Sequence, residues 1–130
     1  MGTNFSLFTN DRSKRDWWFG EVDTYDCLTD TPELGYKFHI AKTSGGWRPL
    51  FENHHRIKSV KDIKAAVEDG FRIVDEYGTF YTWPEFVDRV VLFEKNWPDA
   101  QSHMDYQGGR YRNEFFVDAE GNEFSIREFS

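Results

Sequence analysis

The chain has 130 residues and a formal net charge of −7, and aromatic side chains make up 18% of it. The negative charge argues against unaided binding to nucleic acid or to an anionic membrane, since both surfaces are negatively charged. The length favours one domain over residues 1–130. Because the mean hydropathy is only −0.74, the core is expected to consist largely of rings, which bury much area per residue.

Cysteine usage and the distribution of apolar residues indicate the compartment. Cys27 is the single cysteine, so neither an intramolecular disulfide nor a cysteine-based zinc site can form. The sequence has no apolar run of signal-peptide length and no apolar stretch of about 18 residues. These features predict a protein of the cytoplasm.

The first half of the chain predicts mainly strands. Tyr36–Thr43 is the clearest, because Tyr36, Phe38 and Ile40 alternate with polar residues and so share one face. Its hairpin partner is expected across a Ser-Gly-Gly turn. In chain order, the predicted segments are a strand at Asn4–Thr9, a charged turn at Asn10–Asp16, a strand at Trp17–Val22, a loop at Thr24–Gly35, and strands at Tyr36–Thr43 and Trp47–Glu52.

The second half predicts two helices between further strands. Ser59 begins the first helix, which ends at Gly70. Thr82 and Glu85 form the capping box of the second helix. The other segments are short strands at Phe71–Asp75 and Thr79–Tyr81, a mobile polar loop at Asn96–Gly109, and a hairpin of Tyr111–Val117 and Glu123–Phe129. Together they predict an α+β domain, a mostly antiparallel sheet of about six strands with two helices on one face.

A turn between two of the strands is the first candidate binding site. Paired glycines allow a positive φ and leave backbone amides uncovered, and an aromatic ring and two cations flank this pair. A small anionic ligand could bind there, with a base stacked on Trp47. The simpler interpretation is a hairpin turn whose Trp47 fills the core. The candidate ligand residues are Lys42, Ser44, Gly45, Gly46, Trp47 and Arg48, with Asp75 and Tyr77 as neighbours.

Two consecutive tryptophans form the second candidate site. On a strand, only one of Trp17 and Trp18 can point into the core. The other is a candidate anchor for a partner protein, because tryptophan is enriched among residues that dominate interfaces. We predict that Trp18 is the exposed member.

Catalytic and metal sites are not expected. His39 with His54 or His55 and Glu52 would form a metal site, but the spacing of the histidines is unfavourable. Asp75 and Glu76 more readily shape a turn than form a catalytic pair. Cys27 lies among acidic residues, which would raise its pKa. No cofactor is therefore expected.

Four motifs give the chain a resemblance to a known family. They are MGTNF at residues 1–5, HIAKTSGGW at 39–47, IVDEYG at 73–78 and GNEFSIREFS at 121–130. With these motifs in this order, roughly half of the chain resembles a family of small uncharacterised proteins encoded mainly by tailed bacteriophages. The resemblance implies a viral accessory protein in a bacterial cytoplasm and no particular activity. Many members carry a cysteine cluster that looks like a zinc site, whereas residues 10–35 here contain only Cys27.

The leading hypothesis is a non-enzymatic phage protein that binds and inhibits a host protein, such as a defence or housekeeping factor. The alternative is a nucleotide-binding protein that sequesters a bacterial immune signal at the Gly45-Gly46 turn. A weaker third hypothesis is a small enzyme that acts on such a nucleotide.

Overall fold

The structure is a computed structural model that describes residues 2–20, 30–31, 35–93 and 99–126. Within these residues, eight strands form a single sheet of mostly antiparallel pairs. The strands are β1 (Thr3–Thr9), β2 (Asp30–Thr31), β3 (Gly35–Thr43), β4 (Leu50–Glu52), β5 (Arg72–Asp75), β6 (Phe80–Tyr81), β7 (Phe115–Val117) and β8 (Glu123–Ser125). Their order is β6-β5-β1-β3-β4-β8-β7, with β2 paired to β3.

The centre of the sheet is β1, which pairs antiparallel with both β3 and β5. Phe5, Leu7 and Thr9 alternate along β1 and are buried, as the sequence predicts. The register of β1 against β3 shifts between Phe5 and Ser6. The two strands predicted most clearly are thus confirmed, within one residue at each end.

Two features of the sheet differ from the predicted hairpins. β4 runs only from Leu50 to Glu52, and it pairs antiparallel with β3 on one side and parallel with β8 on the other. Phe124 of β8 stacks on Phe51 of β4, with ring centroids 5.3 Å apart. Packing between Phe51 and Phe124 therefore stabilises the parallel pairing of β4 with β8. Because these two rings are far apart in the sequence, local patterns do not predict this pairing.

The first helix, α1 (Arg12–Phe19), replaces a predicted turn and strand. The predictions of a turn at Asn10–Asp16 and a strand beginning at Trp17 are therefore wrong. Asp11 begins the helix, because its side chain accepts hydrogen bonds from the amides of Ser13 and Lys14. Phe19 attaches α1 to the sheet by stacking on Phe38, with ring centroids 3.9 Å apart and planes 7° apart.

The second helix, α2 (Val60–Glu68), begins after Ser59, as predicted. The Ser59 side chain accepts from the amide of Asp62. A second support comes from far along the chain, because Asp118 Oδ2 accepts from the amide of Val60 at 3.0 Å. One aspartate thus joins the start of α2 to the turn between β7 and β8.

The third helix, α3 (Trp83–Phe86), has the predicted capping box of Thr82 and Glu85. It continues directly into a π-helical turn at Val87–Val91, which the sequence did not predict. The amide of Leu92 donates to the carbonyl of Val87 at 2.9 Å, a spacing of five residues. This turn places Asp88 and Arg89 near the end of the sheet where β1 begins and where β3 and β5 end.

The predicted α+β class is confirmed, with more strands and one more helix than expected. α1, α2 and α3 all contribute to the core cluster, in which eight of the eighteen buried residues are aromatic. The predictions for Cys27, for most of the Thr24–Gly35 loop, for the start of the Asn96–Gly109 loop and for the last residues of the hairpin lie outside the described residues.

Candidate functional site

Trp17, at the end of α1, is the exposed member of the tryptophan pair. Its side chain is 56% exposed, although Arg56 covers part of it. The guanidinium carbon of Arg56 lies 3.6 Å from the ring centroid of Trp17. Arg56 Nε also donates to the backbone carbonyl of Trp17 at 2.7 Å. The two residues therefore hold each other in place, and we call them the Trp17–Arg56 pair.

Trp18 is half-buried, so the expectation that it is the exposed member is wrong. Its indole Nε1 donates to Asp69 Oδ2 at 2.9 Å, and its ring packs edge-on against Phe71. On a helix, neighbouring side chains point about 100° apart, so one of two adjacent tryptophans still faces the core. As predicted, one tryptophan is exposed and the other packs against the core, but the exposed residue is Trp17 and the packed residue is Trp18.

The Gly45-Gly46 turn forms where it was predicted. Trp47 N donates to the carbonyl of Ser44 at 3.1 Å, and Gly46 has a φ of +84°. Gln101 then closes over the turn, because its amide donates to Gly46 and its carbonyl accepts from Arg48, at 2.8 and 3.0 Å. The Gly46 carbonyl and the amides of Trp47 and Arg48 are therefore already hydrogen-bonded.

The ring of Trp47 contacts the same segment and does not fill the core. It stacks on His103 with ring centroids 4.9 Å apart, and Tyr106 lies 5.1 Å away. Trp47 also forms an isolated bridge with Gln101 and is not part of β4. The prediction of a Trp47–Glu52 strand is therefore wrong at its first residues, and a base could stack on Trp47 only where these rings leave space.

Arg48 is the feature of this turn that most favours an anion. Among the described residues, its Nε is the buried side-chain nitrogen that has no hydrogen-bond partner. An unpaired buried donor costs about 1–3 kcal/mol, which a bound anion would recover. Lys42 and Ser44 precede it and are both partly buried.

Asp75 shapes a turn, as predicted, whereas the Glu76 carboxylate accepts from the amide of Asn4 in β1 at 2.9 Å. Asp75 Oδ1 accepts from the amides of Tyr77 and Thr79, each at 2.9 Å, and Oδ2 accepts from the Tyr81 hydroxyl at 2.8 Å. Burial raises the pKa of Asp75, but these hydrogen bonds lower the pKa by more, so the carboxylate is ionised at neutral pH. Tyr77, the remaining predicted ligand residue, is 72% exposed at this turn.

A buried carboxylate between two histidines is the main polar cluster. Glu52 Oε1 lies 2.9 Å from His39 Nδ1, and Glu52 Oε2 lies 3.4 Å from His54 Nε2. His54 Nε2 also donates to the backbone carbonyl of His39 at 2.6 Å. In the part of the chain that the structure describes, no three His, Cys, Asp or Glu side chains are arranged to hold a metal ion.

These histidines predict how stability depends on pH. Burial lowers the pKa of both His54 and His103 from the ordinary value of 6.5. The unfolded chain therefore binds protons that the folded chain does not, and stability falls as the pH falls below 6.5. We expect the free energy of unfolding to decrease in this range, and His54→Gln with His103→Gln to flatten the decrease.

Urea unfolding at several pH values between about 5 and 8 measures this slope. His55→Gln is the matched control, since His55 is exposed next to His54. A slope that the double variant leaves unchanged would contradict the prediction.

Comparison with protein-family models, with curated proteins and with solved structures gives no match to this chain. None of the helices that the structure describes is both long enough and apolar enough to cross a membrane. The candidate sites therefore depend on geometry alone. Arg56 was missed in the sequence, because nothing in its neighbourhood links it to Trp17, 39 residues away.

Proposed function

We propose that this chain is a non-enzymatic bacteriophage accessory protein that binds and inhibits a host protein in the bacterial cytoplasm. The exposed Trp17–Arg56 pair is the observation that carries the proposal. Tryptophan and arginine are the residue types most enriched among those that dominate interface energy. Arg56 also fixes the ring before a partner arrives, which reduces the cost of ordering it on binding.

The pair indicates what kind of surface the partner presents. The apolar ring of Trp17 requires an apolar pocket. Within the described structure, Nε is the Arg56 side-chain nitrogen that donates a hydrogen bond. Its terminal nitrogens can donate to a carboxylate in a fork of two hydrogen bonds. The expected partner surface is therefore an apolar pocket with an acidic residue at its rim.

The viral origin of the proposal comes from the sequence motifs that resemble the phage family. The same motifs imply expression inside an infected bacterium. The net charge of −7 argues against nucleic acid as the direct target, since the phosphate backbone is also negatively charged.

Affinity capture from bacterial lysate tests this proposal. Wild-type protein and Trp17→Ala are used as baits side by side, and Trp18→Ala is the matched control. We expect a host protein that the wild type and Trp18→Ala enrich and that Trp17→Ala loses. If every captured protein is enriched equally by the wild type and Trp17→Ala, this surface does not bind the partner.

A second candidate function is sequestration of a nucleotide signal at the Gly45-Gly46 turn. The unpartnered Nε of Arg48 favours it. A ligand at a hundred times its dissociation constant stabilises the fold by about 2.7 kcal/mol. Cyclic dinucleotides, cyclic trinucleotides and ADP-ribose derivatives are therefore screened by thermal shift. A shift lost in the Lys42→Ala, Arg48→Ala double variant would support this candidate, and no shift at millimolar concentration would reject it.

A further inference from the structure

A cavity of about 480 Å³ opens at one end of the sheet, and its lining includes Asp75 and Tyr77, the two predicted neighbours of the Gly45-Gly46 turn. It lies where β1 begins and where β3 and β5 end, and the π-helical turn forms its other wall. A volume of this order is typical of sites for small molecules, about 300–1,000 Å³. Its lining includes Phe5, Thr43, Asp75, Asp88, Arg89 and Phe93.

The cavity combines aromatic walls with two adjacent charges of opposite sign. Phe5 and Phe93 supply apolar surface, and Thr43 supplies a hydroxyl. Asp88 and Arg89 are exposed, and within the described chain neither side chain forms a hydrogen bond or an ion pair, although the charge of Arg89 also acts on the nearby Glu85 and Tyr81. The carboxylate of Asp75, by contrast, is already occupied by two amides and the Tyr81 hydroxyl. Asp88 and Arg89 therefore remain available to a ligand.

The π-helical turn explains how these side chains reach one cavity. In an α-helix, with about 3.6 residues per turn, positions 88 and 93 lie on different faces. Hydrogen bonding over five residues, as between Leu92 and Val87, widens the turn, and Asp88, Arg89 and Phe93 all line the cavity. π-helical turns are rare and are found frequently at functional sites.

We propose that this cavity binds a small zwitterion of the amino-acid or dipeptide class. The ligand carboxylate pairs with the guanidinium of Arg89 and the hydroxyl of Thr43, and its ammonium group pairs with Asp88. Its apolar side chain packs between Phe5 and Phe93. Phosphorylated ligands are disfavoured, because two carboxylates, Asp75 and Asp88, line the same space.

The test is a titration followed by amide chemical shifts in NMR spectra. The twenty standard amino acids and a set of dipeptides are added singly to the full chain, up to millimolar concentration. We expect at least one to shift the amides of Thr43, Arg89 and Phe93 in a saturable way. Analogues of that ligand without the amine or without the carboxylate are expected to bind at least tenfold more weakly.

Arg89→Gln and Asp88→Asn are each expected to weaken binding at least tenfold. Arg72→Gln is the matched control, because Arg72 is also exposed but stacks on Phe80 and does not line the cavity. The proposal is overturned if no amino acid or dipeptide shifts these amides, if the analogues bind equally well, or if Arg89→Gln binds like the wild type. These outcomes are independent of capture through Trp17, so either proposal can fail alone.

Discussion

Phe38→Ala is expected to lower the free energy of unfolding by about 3–5 kcal/mol. Phe38 is 3% exposed in the middle of β3, and it stacks face to face on Phe19 of α1. Its removal leaves a cavity in the core and removes the ring against which Phe19 of α1 packs. Urea unfolding of the purified variant, followed by circular dichroism, measures the loss.

Phe80→Ala is the matched control for this substitution. Phe80 is 43% exposed in β6, so its truncation removes less buried area, and we expect a loss of about 1 kcal/mol or less. If Phe38→Ala costs no more than Phe80→Ala, the packing of α1 on the sheet is not as described.

Trp18→Ala is expected to cost roughly 2–3 kcal/mol of stability, less than a fully buried ring because Trp18 is half-buried. The variant loses both its packing against Phe71 and its hydrogen bond to Asp69. Trp17→Ala, one residue away, is expected to cost less than about 1 kcal/mol, since it removes only an exposed ring and its contact with Arg56. The same unfolding experiment compares the two variants.

The opposite order of stabilities would show that Trp17 is the structural residue of the pair. Equal and large losses would mean that both rings are structural and would contradict a role for Trp17 as an exposed anchor. The comparison is sharp because the two residues have the same type and neighbouring positions.

The parts of the fold that the sequence predicted are those fixed by local chemistry. Alternating apolar residues defined β1 and β3, Ser59 defined the start of α2, and Thr82 with Glu85 defined the start of α3. The turn at Gly46 also followed from a local requirement, a positive φ. In each case the residues that decide the structure are neighbours in the chain.

The parts that the sequence did not predict depend on distant contacts. Local patterns predict a turn and a strand where α1 forms, although Asp11 supplies its cap, because Phe38, on which Phe19 stacks, lies far along the chain. The sequence predicts Trp47 at the start of a strand or in the core, but Trp47 instead bridges to Gln101 and stacks on His103. The contact of Arg56 with Trp17 is of the same kind.

The affinity of the purified partner for three forms of this chain tests the proposed function most directly. Once capture has identified the partner, isothermal titration calorimetry measures its dissociation constant with the wild type, Trp17→Ala and Trp18→Ala. We expect Trp17→Ala to weaken binding by about thirtyfold or more, which corresponds to about 2 kcal/mol, and folded Trp18→Ala to bind within about threefold of the wild type. A partner that binds Trp17→Ala as tightly as the wild type would contradict the proposal.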